Sequence, residues 1–139
     1  MNNRHRATWD WLQKCPHIQD LFFNAAQAGD GNTQLFPSED VLETYLDGSS
    51  LRRYKCALTR FMEISFDPND LSNIQDAVDM DRLGEWIEEQ NERRNFPEFP
   101  DGCAINEITV DANESGYLAM LDAGIAKYML QFNIEYVKG

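Results

Sequence analysis

The side chains best suited to chemistry are few in this chain, and their spacing does not assemble them. The two histidines, His5 and His17, lie near the start with no cysteine at metal-ligand spacing, so no zinc-type site is expected. The turn Asp67-Pro68-Asn69-Asp70 offers oxygens but lacks the glycine and closing glutamate of a calcium loop, and reads as a turn leading into a helix cap. Ser49, Ser50 and Ser65 have no nearby histidine to activate them. The segment AGDGN has neither the spacing nor the lysine of a phosphate loop. Glu85 and Glu88 form a carboxylate pair, but on a face expected to be solvated, where neither has reason to become a general acid. The expectation is a non-enzyme with no catalytic, cofactor or metal site, whose function resides in surfaces and partners.

The elements that must carry such surfaces are legible as periodic runs. In the stretch Arg52 to Phe66, the even positions Tyr54, Cys56, Leu58, Met62, Ile64 and Phe66 are apolar, interrupted by Arg60, while Lys55, Thr59, Glu63 and Ser65 occupy odd positions. Period two over that length predicts a long strand with one buried face. Near the C-terminus, Tyr128, Leu130, Phe132, Ile134 and Tyr136 alternate with Lys127, Gln131, Asn133 and Glu135, which predicts a matching strand. Phe61 and Met129 break the pattern by falling on the polar face. Either a helix or the N-terminal segment covers them, or they belong to a subunit interface.

Around this pair the chain supplies further elements. Thr8 is placed to cap a short helix ending at Pro16, with Trp9 and Leu12 on one face. DLFFNAAQ, within residues 20–28, alternates like a strand yet is rich in alanine, so helix remains open; strand is the preferred reading. TQLF is a brief apolar run stopped by Pro37. Val41 to Leu46 is expected to pair antiparallel with the central strand through an Asp47-Gly48 hairpin, with both of its faces covered.

Beyond Pro68 the period changes. Leu71, Ile74 and Val78 follow Asp70 as a cap, and Leu83, Trp86, Ile87 and Gln90 form a second stripe, with a break expected near Met80-Asp81. The outer face, Glu85, Glu88, Glu89 and Glu92, is acidic, and the stripe is expected on the sheet, which alone offers Trp86 a receiving surface. Pro97 and Pro100 end the helix, with Phe96 and Phe99 clamping the exit. Strands are expected at Ala104 to Asp111 and Tyr117 to Leu121, separated by a turn at Asn113 to Gly116, with Asp122 to Gly124 breaking the chain again. The fold class is therefore α+β: a mostly antiparallel sheet, one long helical segment on one face, and a short N-terminal helix.

Composition narrows the partners. With 139 residues and no linker-like tract, one domain spanning 1–139 is expected, and 42% hydrophobic content suits a folded chain. The 12 basic and 24 acidic side chains leave a net charge of -12, which opposes gripping a phosphate backbone. Such a surface serves solubility, and it also suits a conduit through which DNA passes without adhering. Cys15, Cys56 and Cys103 are an odd set with no close pair, which fits a reducing compartment; Cys56 reads as a core residue. The opening MNNRHRATWDWLQ has no apolar run and nothing later approaches membrane-spanning length, so a cytoplasmic product without a membrane partner is expected.

Several stretches, in order, are similar to one family. DRLGEWIEEQNERRNFPEFPDG resembles the helix and proline-rich exit of the small tail-terminator proteins of long-tailed bacteriophages and prophages, often labelled minor capsid proteins. TWDWLQKCP, YLDGSSLRRYKCAL and AKYMLQFNIEYV agree with the same family, so the likeness spans nearly the whole chain. The resemblance implies an α+β subunit of a ring, usually of six, that ends the tail tube and joins it to the head–tail connector or stopper. Implied partners are further copies of the chain, the tail tube protein and the connector, with DNA passing unbound. The implied location is the head-proximal end of the virion tail, after assembly in the host cytoplasm. No catalytic motif is carried over. The competing expectation is a small acidic cytoplasmic binding or inhibitor protein, of the immunity type, that blocks a basic partner site.

Overall fold

A long alternating run has a stable home only beside other strands, and here each of the two matched runs finds the other. A computed structural model describes residues 3–16, 21–23, 33–63, 72–122 and 125–139. In order these form α1 (Arg4–Leu12), β1 (Leu21–Phe23), β2 (Thr33–Thr44), β3 (Ser50–Glu63), α2 (Ser72–Glu92), β4 (Cys103–Asp122) and β5 (Ile125–Lys138). β3 and β5 pair antiparallel along their full length, from Ser50 opposite Lys138 to Glu63 opposite Ile125. The sheet order is β1-β2-β3-β5-β4, antiparallel throughout except that the short β1 runs parallel to β2. The fold is α+β, with helices against one face of a mostly antiparallel sheet.

The even-numbered face of the two central strands is the core. Tyr54, Cys56, Leu58, Leu130, Phe132, Ile134 and Tyr136 are buried there, while Lys55, Gln131, Asn133 and Glu135 on the other face remain partly exposed. Burying each large apolar side chain contributes about 1.5–3 kcal/mol. From α2, Met80, Leu83, Ile87 and Gln90 descend onto this face at helical spacing. The exit segment is clamped as expected: Phe99 meets Tyr136 edge-on at 5.0 Å and Tyr54 at 6.1 Å, and Phe96 packs beside the core.

Four local expectations are corrected. α1 begins earlier than expected, because Asn3 rather than Thr8 is its cap: the Asn3 side chain accepts the Arg6 N–H at 2.8 Å, while Thr8 lies inside the helix and donates its hydroxyl to Arg4 O. Its buried face is Ala7, Thr8, Trp11 and Leu12, with Trp9 half-exposed under the Arg6 guanidinium. β2 runs through Pro37 instead of stopping there. Pro37 lies past the three residues that pair with β1, on a sheet border where its missing N–H costs no ladder bond. α2 is continuous across Met80-Asp81, since Met80 itself joins the buried stripe and removes the phase break. β4 is one strand, and the pairing jumps from Asp111 opposite Gln131 to Gly116 opposite Met129, so the Asn113–Gly116 stretch is a large bulge and not a reversal.

Trp86 is received differently from the expectation as well: it packs on Trp11 of α1, ring centroids 5.0 Å apart. Leu21–Phe23 is strand; the remainder of DLFFNAAQ, His17, Ile64, Phe66 and the Asp67–Leu71 turn and cap lie outside the described residues. α2 ends in a Schellman arrangement, with Asn95 N–H donating to Gln90 O at 2.9 Å and Arg94 N–H to Asn91 O at 3.1 Å. Arg94 takes the left-handed position there, φ 54°, where glycine is usual. That geometry aims Asn95 O at α1, where it accepts the Trp11 indole N–H at 2.9 Å.

Candidate assembly surfaces

The β2–β3 hairpin is built for rigidity at its end. Tyr45 N–H donates to Ser49 O at 2.8 Å and Gly48 N–H to Tyr45 O at 3.1 Å, while Asp47 Oδ1 accepts from both the amide and the hydroxyl of Ser49. Gly48 has φ +89°, which admits glycine without strain. The ladder to β5 ends at Ser50 opposite Lys138, so the turn stands past the last residues of β5. A bulge between Val41 and Glu43 turns the approach strand on the way out.

This placement leaves apolar side chains in water. Val41 is 54% exposed, Leu42 40%, Tyr45 39% and Leu46 fully so. The expectation that both faces of this strand are covered is therefore wrong: Tyr45 and Leu46 stand past the end of the β3–β5 ladder at Ser50 opposite Lys138, and Val41, opposite Arg52, lies on the border strand β2. Four large apolar side chains exposed within six residues mark an interaction surface more often than a lone exposed leucine does. Apolar residues of both parities flank Asp47-Gly48 in the sequence, but the same pattern fits a strand covered on both faces.

Of the two residues singled out as interface candidates, Met129 is half-buried in β5 opposite Thr59, which is itself buried. Phe61 lies in β3 opposite Lys127, and its side chain lies outside the described residues. The two are two rungs apart on one ladder, at the far end of the sheet from the hairpin tip.

Both sheet borders are interrupted where a neighbouring strand would pair. Among the described residues nothing pairs with the outer side of β2 after Leu35, yet that border carries Pro37 and the bulge at Val41/Glu43. β4 forms the other border, with its ladder shifted at Ile105/Glu107 and again at Asp111/Gly116. Prolines and bulges are devices that discourage edge-to-edge pairing.

At the hairpin's base, Glu39 binds α1 to the sheet. Its carboxylate lies 3.3 Å from the Arg4 guanidinium and 3.6 Å from that of Arg52, and it accepts the Tyr136 hydroxyl. Arg4 also covers the Tyr54 ring at 5.7 Å, and His5 Nδ1 is 2.7 Å from the Tyr54 hydroxyl. Burial pushes the Tyr54 and Tyr136 hydroxyls far above the usual phenol range, so both act as neutral hydrogen-bonding groups. Burial, with the Arg4 charge second, holds His5 below its usual value; Glu39 pulls weakly the other way. Neutral His5 is therefore the form that folding favours. Its contribution is complete above the unfolded value of about 6.5 and is lost as pH falls through the lower folded value. The melting temperature is expected to fall between about pH 7.5 and pH 5.5, and to fall less steeply in His5→Gln, as calorimetry at matched ionic strength would show.

The carboxylates Glu85, Glu88, Glu89 and Glu92 of α2 all face solvent, with Glu89 paired to Arg93 at 2.6 Å. Between α1 and residues 95–98 lies a cleft of about 210 Å³, floored by Ala7, Trp11, Phe96 and Pro97. Cys15 and Cys56 are buried and Cys103 half-buried, and none of the three is in a disulfide. Among the described residues no group of three histidine, cysteine or carboxylate side chains is arranged to hold a metal ion, and no helix is long and apolar enough to cross a membrane. Compared with known proteins, the chain matches no family model and no curated sequence.

Proposed function

We propose that the chain is a structural subunit of a long-tailed phage, a tail terminator that forms a ring, caps the polymerised tail tube, joins it to the head connector and lets DNA pass. The observation that carries this reading is the uncovered apolar hairpin tip on an otherwise strongly acidic protomer, which is the surface of a protein that works by being covered. The stretches that resemble the terminator family support it by converging. Trp11 of the first packs on Trp86 of the helical stretch and on Phe132 of the last strand, and Tyr54 of the hairpin stretch meets Phe99 of the exit.

The reading requires no reaction, and a surface with a net charge of -12 suits a channel that must not hold DNA. Negative-stain electron microscopy tests it directly. Rings of the purified protein, or tail tubes whose ends acquire a cap when it is added, are the expected images, and a protomer that stays single and ignores tail tubes refutes the proposal. The exposed carboxylates of α2 favour a second reading, an acidic binding or inhibitor protein. Salt-sensitive binding to a basic partner, with no response to tail tubes, would select it.

A further inference from the structure

We infer that the end of the sheet at the β2–β3 hairpin docks a basic, amphipathic segment of another protein, whose apolar side chains seat on an apolar strip and whose lysines or arginines meet a fence of carboxylates. The inference rests on the reading above only in taking this end of the protomer as a surface that is covered. It goes beyond that reading by naming the chemistry of what covers it.

The strip follows from the register. Residues directly opposite one another on an antiparallel ladder project to the same face. Leu51 stands opposite Val137, and Val137 opposite Ala104, so three neighbouring strands place apolar side chains in one row, on the face away from the helix-covered core. Ala104 is exposed and the other two are half-buried. At the β2 end of this row the hairpin adds Tyr45 and the fully exposed Leu46. The turn is already fixed, with Asp47 accepting from the Ser49 amide and hydroxyl, so docking has little new chain to order.

The fence follows from the same register. The next row inward reads Asp40, Arg53, Glu135 and Glu107 across β2, β3, β5 and β4. Asp40 is taken by Lys55 at 2.7 Å, and Arg53 offsets one further charge. Glu135 and Glu107 still stand directly opposite each other, a like-charge pairing that destabilises a ladder until a cation arrives from outside. Glu43, opposite Leu51, and Asp47 at the turn carry the fence around the strip. The Tyr45 hydroxyl responds to it: desolvation first, and then the Glu43, Glu135 and Asp47 carboxylates, hold it above the usual phenol range.

Charge decides between occupants. A nucleic acid or an anionic lipid surface sets phosphates against these carboxylates. A second copy docked through the same strip sets carboxylate against carboxylate. Docked through another surface it has little basic character to offer, because Glu39 holds Arg4 and Arg52, Asp10 holds Arg6, Asp40 holds Lys55 and Glu89 holds Arg93. A basic segment of a different protein satisfies both the strip and the fence.

The test uses the full chain and, as probe, a fluorescein-labelled synthetic peptide of interspersed leucine and lysine, beside a counterpart with glutamate in place of lysine. Fluorescence anisotropy is expected to show binding of the lysine peptide alone. Leu46→Asp should weaken it about tenfold although it adds a negative charge, and should leave the melting temperature unchanged because Leu46 is fully exposed. Glu107→Lys should also weaken it about tenfold while raising the melting temperature, since the pair with Glu135 then carries opposite charges. Glu85→Lys makes the same charge change on the exposed face of α2 and should leave the affinity within about twofold. No binding of the lysine peptide, undiminished binding by Leu46→Asp, or equal losses in Glu85→Lys and Glu107→Lys overturns the inference. A protein that caps tail tubes yet ignores the lysine peptide overturns it while leaving the tail reading intact; one that binds the peptide at this strip and ignores tubes upholds it and removes the tail reading.

Discussion

Trp11→Ala is expected to lower the unfolding free energy by about 3–5 kcal/mol, the range for removing a buried aromatic side chain. Trp11 is 2% exposed and is the hinge pin between both helices and the sheet: its ring lies 5.0 Å from Trp86 and 6.0 Å from Phe132. Its indole N–H is also the partner of Asn95 O, so the alanine variant leaves both a cavity and an orphaned carbonyl at the end of α2. Two controls separate these contributions. Trp11→Phe retains most of the ring contact and forfeits the hydrogen bond, for an expected loss of about 1–2 kcal/mol. Trp9→Ala, at a half-exposed position that packs on the edge of the core with a guanidinium over the ring, should cost about 2 kcal/mol or less. Urea unfolding at constant m value measures all three. A Trp11→Ala loss no larger than that of Trp9→Ala would show that α1 is not integral to the core.

The sheet was readable because its central strands obey one rule over a long distance. Tyr54 to Leu58 and Leu130 to Tyr136 alternate strictly, and burying one face is the only economical arrangement for two such runs; the observed ladder joins them residue by residue. Where several rules competed, local reading failed. Pro37 is a strand breaker in a central strand but harmless on a border, and which border a strand occupies is a property of the whole sheet. Val78 and Leu83 are out of phase with each other, and Met80, buried beside Leu83, bridges them into one stripe; the Asn113–Gly116 run has the composition of a turn while functioning as a bulge. Asn3 carries no cap signal in the sequence because the residues after it, Arg4, His5 and Arg6, show no apolar period. The hairpin tip was legible as a turn through Asp47-Gly48, yet its exposure was not, because exposure depends on where β5 ends. The cluster around Glu39 had no sequence signature at all: it joins residues from α1, β2, β3 and β5, and an isolated glutamate between Ser38 and Asp40 reads as surface.

That cluster supplies the second large effect. Glu39→Leu is expected to cost about 3 kcal/mol, the lower end of the range for removing one member of a buried ion pair, since the Glu39 side chain keeps 15% of its exposure. Leucine leaves two guanidinium groups facing one another and strips the Tyr136 hydroxyl of its acceptor, whereas Glu39→Gln keeps an acceptor for Tyr136 and should recover about half of the loss. Arg4 makes the pairing testable, because its Nε is already buried without a partner and only the terminal nitrogen reaches Glu39. In a cycle of Arg4→Ala, Glu39→Leu and the double variant, a coupling of about 1 kcal/mol is expected, and it should weaken at high salt because the Arg4 side chain keeps 36% of its exposure. A coupling near zero would mean that α1 is held by Trp11 and Leu12 alone. For the proposed assembly the distinction has a consequence: Glu39 is two residues from Val41, so the contact that fastens α1 also sets the root from which the apolar hairpin projects. Loosening it should blunt formation of that proposed assembly even though no residue of the tip has changed.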